Sequence, residues 1–184
     1  MMLRTMCPAM KIDYTIFQFQ NVYGVGQSLK KPYTGILSVF SSLMLENMPV
    51  NIFEDGLESR DFVNVQDIAD GVIACIDNDK SNGEIINLGT GINTSVIEIA
   101  EILKRHYKSS SEIKVTGDFR IGDIAHNKAD ISKAKELLNF KPKISLEEGL
   151  KRFCDLVVDQ DTDSSRYEQS LAEMEQAGMF IRKK

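Results

Sequence analysis

The sequence predicts an α/β fold, and three observations carry that prediction. Short runs rich in β-branched and aromatic residues recur at 14–19, 50–53, 85–88 and 113–115. Between them lie stretches whose apolar residues return at helical spacing, as in Ile36, Leu37, Phe40, Leu43 and Met44. Two capping boxes, Ser95 with Glu98 and Ser145 with Glu148, mark where helices begin. Strands alternating with helices form an α/β arrangement, and 184 residues are enough to bury a core.

Taken in order, residues 14–19 (YTIFQF) read as a buried strand. It ends at a turn, Asn21-Val22-Tyr23-Gly24, and runs into a loop that Gly24, Gly26 and Pro32 keep irregular as far as Tyr33. The helix that follows stops at Pro49. Residues 50–53 are then a short strand closed by Asp55-Gly56, and 61–65 a second extended piece. Asp67 is placed to cap a helix with Ile68, Val72, Cys75 and Ile76 inward. The turn Ser81-Asn82-Gly83 precedes the strand at 85–88, and Gly89-Thr90-Gly91 makes another turn. Behind the capping boxes, Val96, Ile99, Ala100, Leu103 and Tyr107 form one buried stripe. Leu146, Leu150, Phe153, Cys154 and Val157 form the other. A strand at 113–115 and a short helix from Ser132 to Leu138 lie between them. Beyond Asp159 the chain turns polar, and a last helix over 167–177, stopped by Gly178, has little apolar surface. It is expected to lie against the body or to be mobile.

Composition removes several function classes. A net charge of -5 argues against a broad basic face for nucleic acid. The three cysteines, Cys7, Cys75 and Cys154, form no CxxC, and the histidines are His106 and His126, so neither a disulfide framework nor a zinc site is supported. Cys75 and Cys154 read as buried, inert thiols, which fits a reducing cytoplasm. No apolar stretch is long enough to span a bilayer. The expectation is a cytoplasmic protein without nucleic-acid or membrane partners.

Three local features could build a site for an anionic ligand. Asn21, at the end of a strand, can donate its amide to a phosphate or a sugar hydroxyl, or simply serve the turn. Arg60, in Arg60-Asp61-Phe62, can grip a phosphate through two parallel hydrogen bonds, or form a surface ion arrangement with Asp61. In Arg120-Ile121-Gly122-Asp123 the glycine lets the loop turn, so that arginine and carboxylate can face one ligand, or solvent. Gly24-Val25-Gly26 is no dinucleotide fingerprint, because it lacks the third glycine and the later acidic residue.

The order of four segments is more specific than any one of them. QFQNVYG at 18–24, IFEDGLESRDFVNVQDIADG at 52–71, INLGTG at 86–91, and Arg120 to Asp123 followed by ADISKAKELL resemble the extended short-chain dehydrogenase/reductase family. Within it the chain is similar to nucleotide-sugar 4-epimerases, and NVYGVGQSLKKPYTGI with RYEQSLAEMEQAG is similar to the branch acting on dTDP-rhamnose-type sugars. The resemblance implies late strands of a Rossmann-like sheet plus a small α/β substrate domain. Residues 1–24 would end the cofactor domain. Residues 25–159 would be mainly the substrate domain, with 85–88 returning to the sheet, and 160–184 a polar helical tail. It implies substrate contacts at Asn21 and on the main chain of Asn51, Ile52 and Phe53, which would read the base. It also implies Arg60 and Arg120 on the phosphates, Asp123 on ribose hydroxyls, and the backbone of Gln20 beside the nicotinamide of NAD. The ligand would be a nucleotide-diphosphate sugar.

Departures accompany the match. Gln18-Phe19 stands where the family has Arg-Tyr, Asn64 replaces a histidine, and Ala125 replaces an arginine. The family's glycine-rich turn, its catalytic serine or threonine and its Tyr-xxx-Lys pair are not found in these residues, since Tyr14, Tyr23 and Tyr33 are followed four positions on by Gln18, Gln27 and Leu37. Residues 1–10 read as the end of the helix that would carry the lysine. The expectation is binding without catalysis unless a separate N-terminal half completes the enzyme, with that half or a homodimer partner as the protein partners. A stand-alone binding module, a non-functional remnant and a sister dehydratase or decarboxylase are the alternatives.

Overall fold

The structure is a computed structural model that describes residues 2–29, 35–162 and 164–183. Pro32 and Tyr33, expected to end the first loop, lie outside the described residues. Helix α1 (Met2–Ala9) leads to β1 (Ile16–Phe19), which pairs in parallel with β6 (Ile85–Leu88), and β2 (Asn21–Tyr23) pairs in parallel with β5 (Phe62–Asn64). Residues 21–23 are therefore a strand and not the turn that their sequence predicts. Asn21 N–H finds the Asp61 carbonyl, a partner forty residues away that no local pattern reveals.

Strand β3 (Val50–Ile52) pairs in parallel with β8 (Ile113–Val115). Two short antiparallel pairs complete the framework, β4 (Ser59–Arg60) with β7 (Thr94–Ser95) and β9 (Phe119–Arg120) with β10 (Phe180–Ile181). The helices are α2 (Ile36–Leu45), α3 (Val65–Ile73), α4 (Val96–Tyr107), α5 (Ser132–Leu138), α6 (Leu146–Val157) and α7 (Ser165–Gln176). Ser95 and Ser145 cap α4 and α6 by accepting the N–H of Glu98 and Glu148. Asn64, not Asp67, caps α3, accepting from Gln66 N–H. Asp67 sits one turn in and buried, and its carboxyl instead receives the N–H groups of Lys143 and Ile144, tying the start of α6 to α3.

Two hydrophobic clusters form. One gathers α2, α4, α6 and β3 around residues such as Phe40, Ile52, Leu103 and Phe153. The other gathers α3, α5, β5 and β6 around Val63, Ile86, Leu88 and Phe140. Ile76, predicted inward, lies beyond the end of α3 and is exposed. Cys75 is half-buried, with its Sγ at hydrogen-bond distance from Thr15 and Ser81, and Cys7 and Cys154 are buried. The last helix lies against the body with Leu171 buried, and the residues after it form β10, which the sequence reading did not anticipate.

Gly149 in α6 shows how closely that helix packs on β2. A Cβ there would stand 2.1 Å from the hydroxyl of buried Tyr23. Burial pushes the Tyr23 phenol up to about 12, opposed by its hydrogen bond with Asn64. Gly149→Ala is expected to cost about 2 kcal/mol through overpacking and to lower Tm by roughly 5 °C, as thermal denaturation would register. Elsewhere in an exposed helix the same change would stabilise.

Candidate functional site

The chain changes strand partner within one step. Gln20 gives its N–H to Leu88 of β6, and Asn21 gives its own to Asp61 beside β5. Ligands of α/β proteins lodge where neighbouring strands part at their carboxyl ends. Asn21 lines a cavity of about 430 Å³, inside the range of roughly 300–1,000 Å³ usual for small-molecule sites. The same cavity is lined by Asn51, Phe53, Glu54, Glu58, Arg60, Arg120 and Asp123, with apolar cover from Val39 and Phe40 of α2 and Val96 of α4.

Two guanidinium groups meet there on one carboxylate. Arg60 leaves β4 with its direction fixed by the antiparallel partner Thr94. Its Nη1 donates to the carbonyls of Ser59 and Ala125, and its Nη2 to Asp123 Oδ1 at 2.8 Å. Arg120 on β9 donates to Asp123 Oδ2, and its guanidinium lies 5.8 Å from the centre of the Phe53 ring. Gly122, at φ +82°, supplies the turn that brings Asp123 back between the two arginines. Two fixed forks side by side present donors for more than one anionic oxygen, the arrangement suited to linked phosphates.

Asp61 does not pair with Arg60, so the surface ion arrangement left open by the sequence is absent. Its side chain is fully buried on the far side of the strand. It receives the Thr90 and Gly91 N–H groups, the Thr90 hydroxyl and the Ala129 N–H. Arg60 and Asp61 alternate faces as strand neighbours do, one serving the cavity and one locking the fold behind it.

Asn21, Asn51, Phe53, Arg60, Arg120 and Asp123 thus border a common space. Ile52 and Gln20 do not. Alternation along β3 sends the Ile52 side chain into the core, and its carbonyl accepts from the Thr116 N–H and hydroxyl. The Gln20 side chain accepts from Asn127 instead of facing the cavity. Sequence reasoning missed Glu54, Glu58 and four residues of α7, namely Tyr167, Ser170, Leu171 and Met174. The α7 spacing of i, i+3, i+4 and i+7 marks an inward face in the sequence, though nothing local says what that face meets.

The Glu58 carboxyl is held above the usual carboxylate range, chiefly by burial and then by the hydrogen bond and charge of Glu54 and by the charge of Asp55. A raised acid favours the protonated folded state, so its stabilising contribution is full below the ordinary carboxylate value and falls as pH rises through the raised one. Glu58→Gln is therefore expected to melt higher than the parent at pH 7. Melts between about pH 4 and 8 should be flatter with pH than the parent's.

The fit of a dinucleotide can be tested on the turn after β6. Gly89-Thr90-Gly91 is glycine-rich and follows a strand, but its Thr90 and Gly91 N–H groups point at Asp61. They are satisfied internally and do not form a pyrophosphate cradle. This turn therefore does not fit a dinucleotide pyrophosphate.

A profile of the NAD dependent epimerase/dehydratase family matches residues 1–89. The dTDP-L-rhamnose 4-epimerase of Burkholderia thailandensis is 39% identical over 148 residues, which is 80% of this chain and 40% of that protein. The chain belongs to the NAD-dependent epimerase/dehydratase family. This family member is also similar to a UDP-N-acetyl-alpha-D-glucosaminuronate decarboxylase of Bacillus cytotoxicus, at 33% identity over 76% of this chain and 44% of that protein. A UDP-glucose 4-epimerase of Thermotoga maritima, solved with UDP-glucose, superposes with a TM-score of 0.76 at 32% identity, over 84% of this chain and 49% of that one. A UDP-glucuronic acid 4-epimerase of Bacillus cereus, solved with UDP-glucuronic acid and NAD, gives 0.70 at 29% identity over 82% and 47%. The α/β fold is therefore that of the extended short-chain dehydrogenase/reductase epimerases, and the chain spans about half the length of these relatives or less. No helix among the described residues is long and apolar enough to cross a membrane.

Proposed function

We propose that this chain holds the diphosphate and nucleoside of a UDP- or dTDP-sugar for an NAD-dependent 4-epimerase. The observation that carries the reading is the convergence of Arg60 and Arg120 on Asp123, in one cavity with Asn21, Asn51 and Phe53. A diphosphate would replace the Asp123 carboxylate as acceptor for the guanidinium forks, freeing Asp123 for the hydroxyls of the ribose. Asn21 would donate to the same diphosphate, and the β3 edge at Asn51 and Phe53 would meet the base. Anchoring the nucleotide while leaving the sugar free to turn is what epimerisation demands of such a site. NAD, when bound to the complete enzyme, would supply reversible hydride transfer at the sugar carbon. Apart from the strand end at Gln20, we assign its binding to residues other than these.

The division of labour we infer follows the two hydrophobic clusters. The region around β1 and β6 would belong to the cofactor-binding part, the region around α2, α4 and β3 to the substrate part, and residues 160–184 to a tail. Met2, Leu3, Met6, Ile12 and Phe19 are exposed around α1 and β1. Among the described residues β1 pairs with β6 alone. Such an apolar surface beside an open strand edge fits a partner chain that extends the sheet.

Mixing the chain with an N-terminal half that carries a glycine-rich turn and a Tyr-xxx-Lys pair tests the reading. C4 epimerisation of a UDP- or dTDP-sugar should depend on NAD and on both chains. Tight nucleotide-sugar binding with no turnover on mixing would instead mark a binding module, and loss of the sugar carboxyl would mark the decarboxylase chemistry.

A further inference from the structure

The C-terminal segment covers the cavity while being fastened at its two ends. At one end Ser164 gives its N–H and its hydroxyl to the Glu46 carboxylate, just past α2. At the other, β10 pairs with β9, Phe180 packs on Phe53 with ring centres 5.0 Å apart, and Lys183 N–H bonds Asp118. Between these anchors α7 turns Tyr167, Ser170, Leu171 and Met174 toward the cavity. A helix that merely completes a core buries an aliphatic stripe. Here Leu171 is the one buried aliphatic of that face, Tyr167 is half-buried with its ring against the core cluster, and Tyr167, Ser170 and Met174 line the cavity with two hydroxyls and a thioether. Polar groups placed within a largely apolar cavity are the mark of a ligand wall. The segment is also tied to the site's own chemistry, since β10 is hydrogen-bonded to the strand that carries Arg120, and burial pushes the Tyr167 phenol up to about 12 against the opposing charge of Arg120.

We propose that α7 is a ligand-contacting wall of the nucleotide site, with Tyr167, Ser170 and Met174 determining which nucleoside diphosphates fit. The inference rests on the nucleotide reading of the cavity and extends it to a segment that the two arginines do not require. Because the wall is attached through β9, a bound nucleoside diphosphate tightens α7 and Arg120 together.

The test uses the full chain with UDP and dTDP as probes. Amide hydrogen exchange over residues 165–181 should slow when either probe saturates the protein. Ser170→Trp, which fills the cavity from the α7 side, should weaken both probes at least tenfold, whereas Gln169→Trp, on the exposed side of the same helix, should stay within about threefold of the parent. Arg60→Ala is the control for the site itself. If Arg60→Ala weakens binding but Ser170→Trp does not, or exchange over 165–181 is unchanged by ligand, the nucleotide site stands and the α7 wall is overturned. If Arg60→Ala binds as the parent does, the reading of the cavity fails and the wall with it.

Discussion

Replacing Asp61 by alanine is expected to lower folding stability by about 4 kcal/mol, among the largest effects open to a single substitution. The side chain is fully buried and accepts from Thr90 N–H, Thr90 hydroxyl, Gly91 N–H and Ala129 N–H. Its loss leaves these donors without their acceptor, at roughly 1–3 kcal/mol for each that finds no substitute. Small domains hold about 5–15 kcal/mol in all, so Asp61→Ala should lose a large share of its cooperative stability at room temperature. Asp61→Asn is the sharper comparison, because it keeps the volume but replaces one acceptor with a donor facing the same N–H groups. Both should lower the midpoint in urea, with alanine the lower if bond count dominates. A midpoint for Asp61→Ala within the scatter of the parent would refute the assignment of Asp61 as the lock between β5 and the Gly89-Thr90-Gly91 turn.

Arg60→Ala is expected to weaken UDP or dTDP binding about 100-fold, the equivalent of roughly 3 kcal/mol. A bidentate guanidinium contributes two charge-assisted bonds to a phosphate, and each is worth about 1.5–3 kcal/mol. Arg60 is held ready for that role by Ser59, Ala125 and Asp123, which fix its fork before any ligand arrives. Arg60→Lys keeps the charge and loses the fork, so it should recover about tenfold of the loss and no more. The loss should also shrink at high salt, where the parent's own affinity falls. Circular dichroism separates a binding defect from an unfolded variant, and calorimetry reads the affinity.

Much of the framework can be read in the sequence because its causes are local. The capping boxes at Ser95 and Ser145, the strands at 85–88 and 113–115 and the helix from Ser132 are where local spacing puts them. Elements fixed by distant partners are less legible. Residues 21–23 look like a turn until Asp61 and β5 supply their hydrogen bonds, and Asp67 looks like a cap until Lys143 and Ile144 claim its carboxyl. Ile76 continues an apolar period past the end of its helix, where that period no longer points at a core. The polar residues of the site are legible as residue types suited to phosphate, and their meeting around Asp123 is a product of loop geometry. The part played by α7 is the least legible. A polar helix with one buried leucine gives no sign in sequence of the cavity it covers.

The most direct measurement is a calorimetric titration of the 184-residue chain with UDP-glucose and with dTDP-glucose, repeated on an Arg60→Ala, Arg120→Ala double variant. Saturable binding to one site per chain, weakened at high salt and lost in the double variant, is the expected result. Absence of heat and of any Tm shift at about 1 mM nucleotide sugar, or equal binding by the double variant, would mean that the arginine pair is not a diphosphate site.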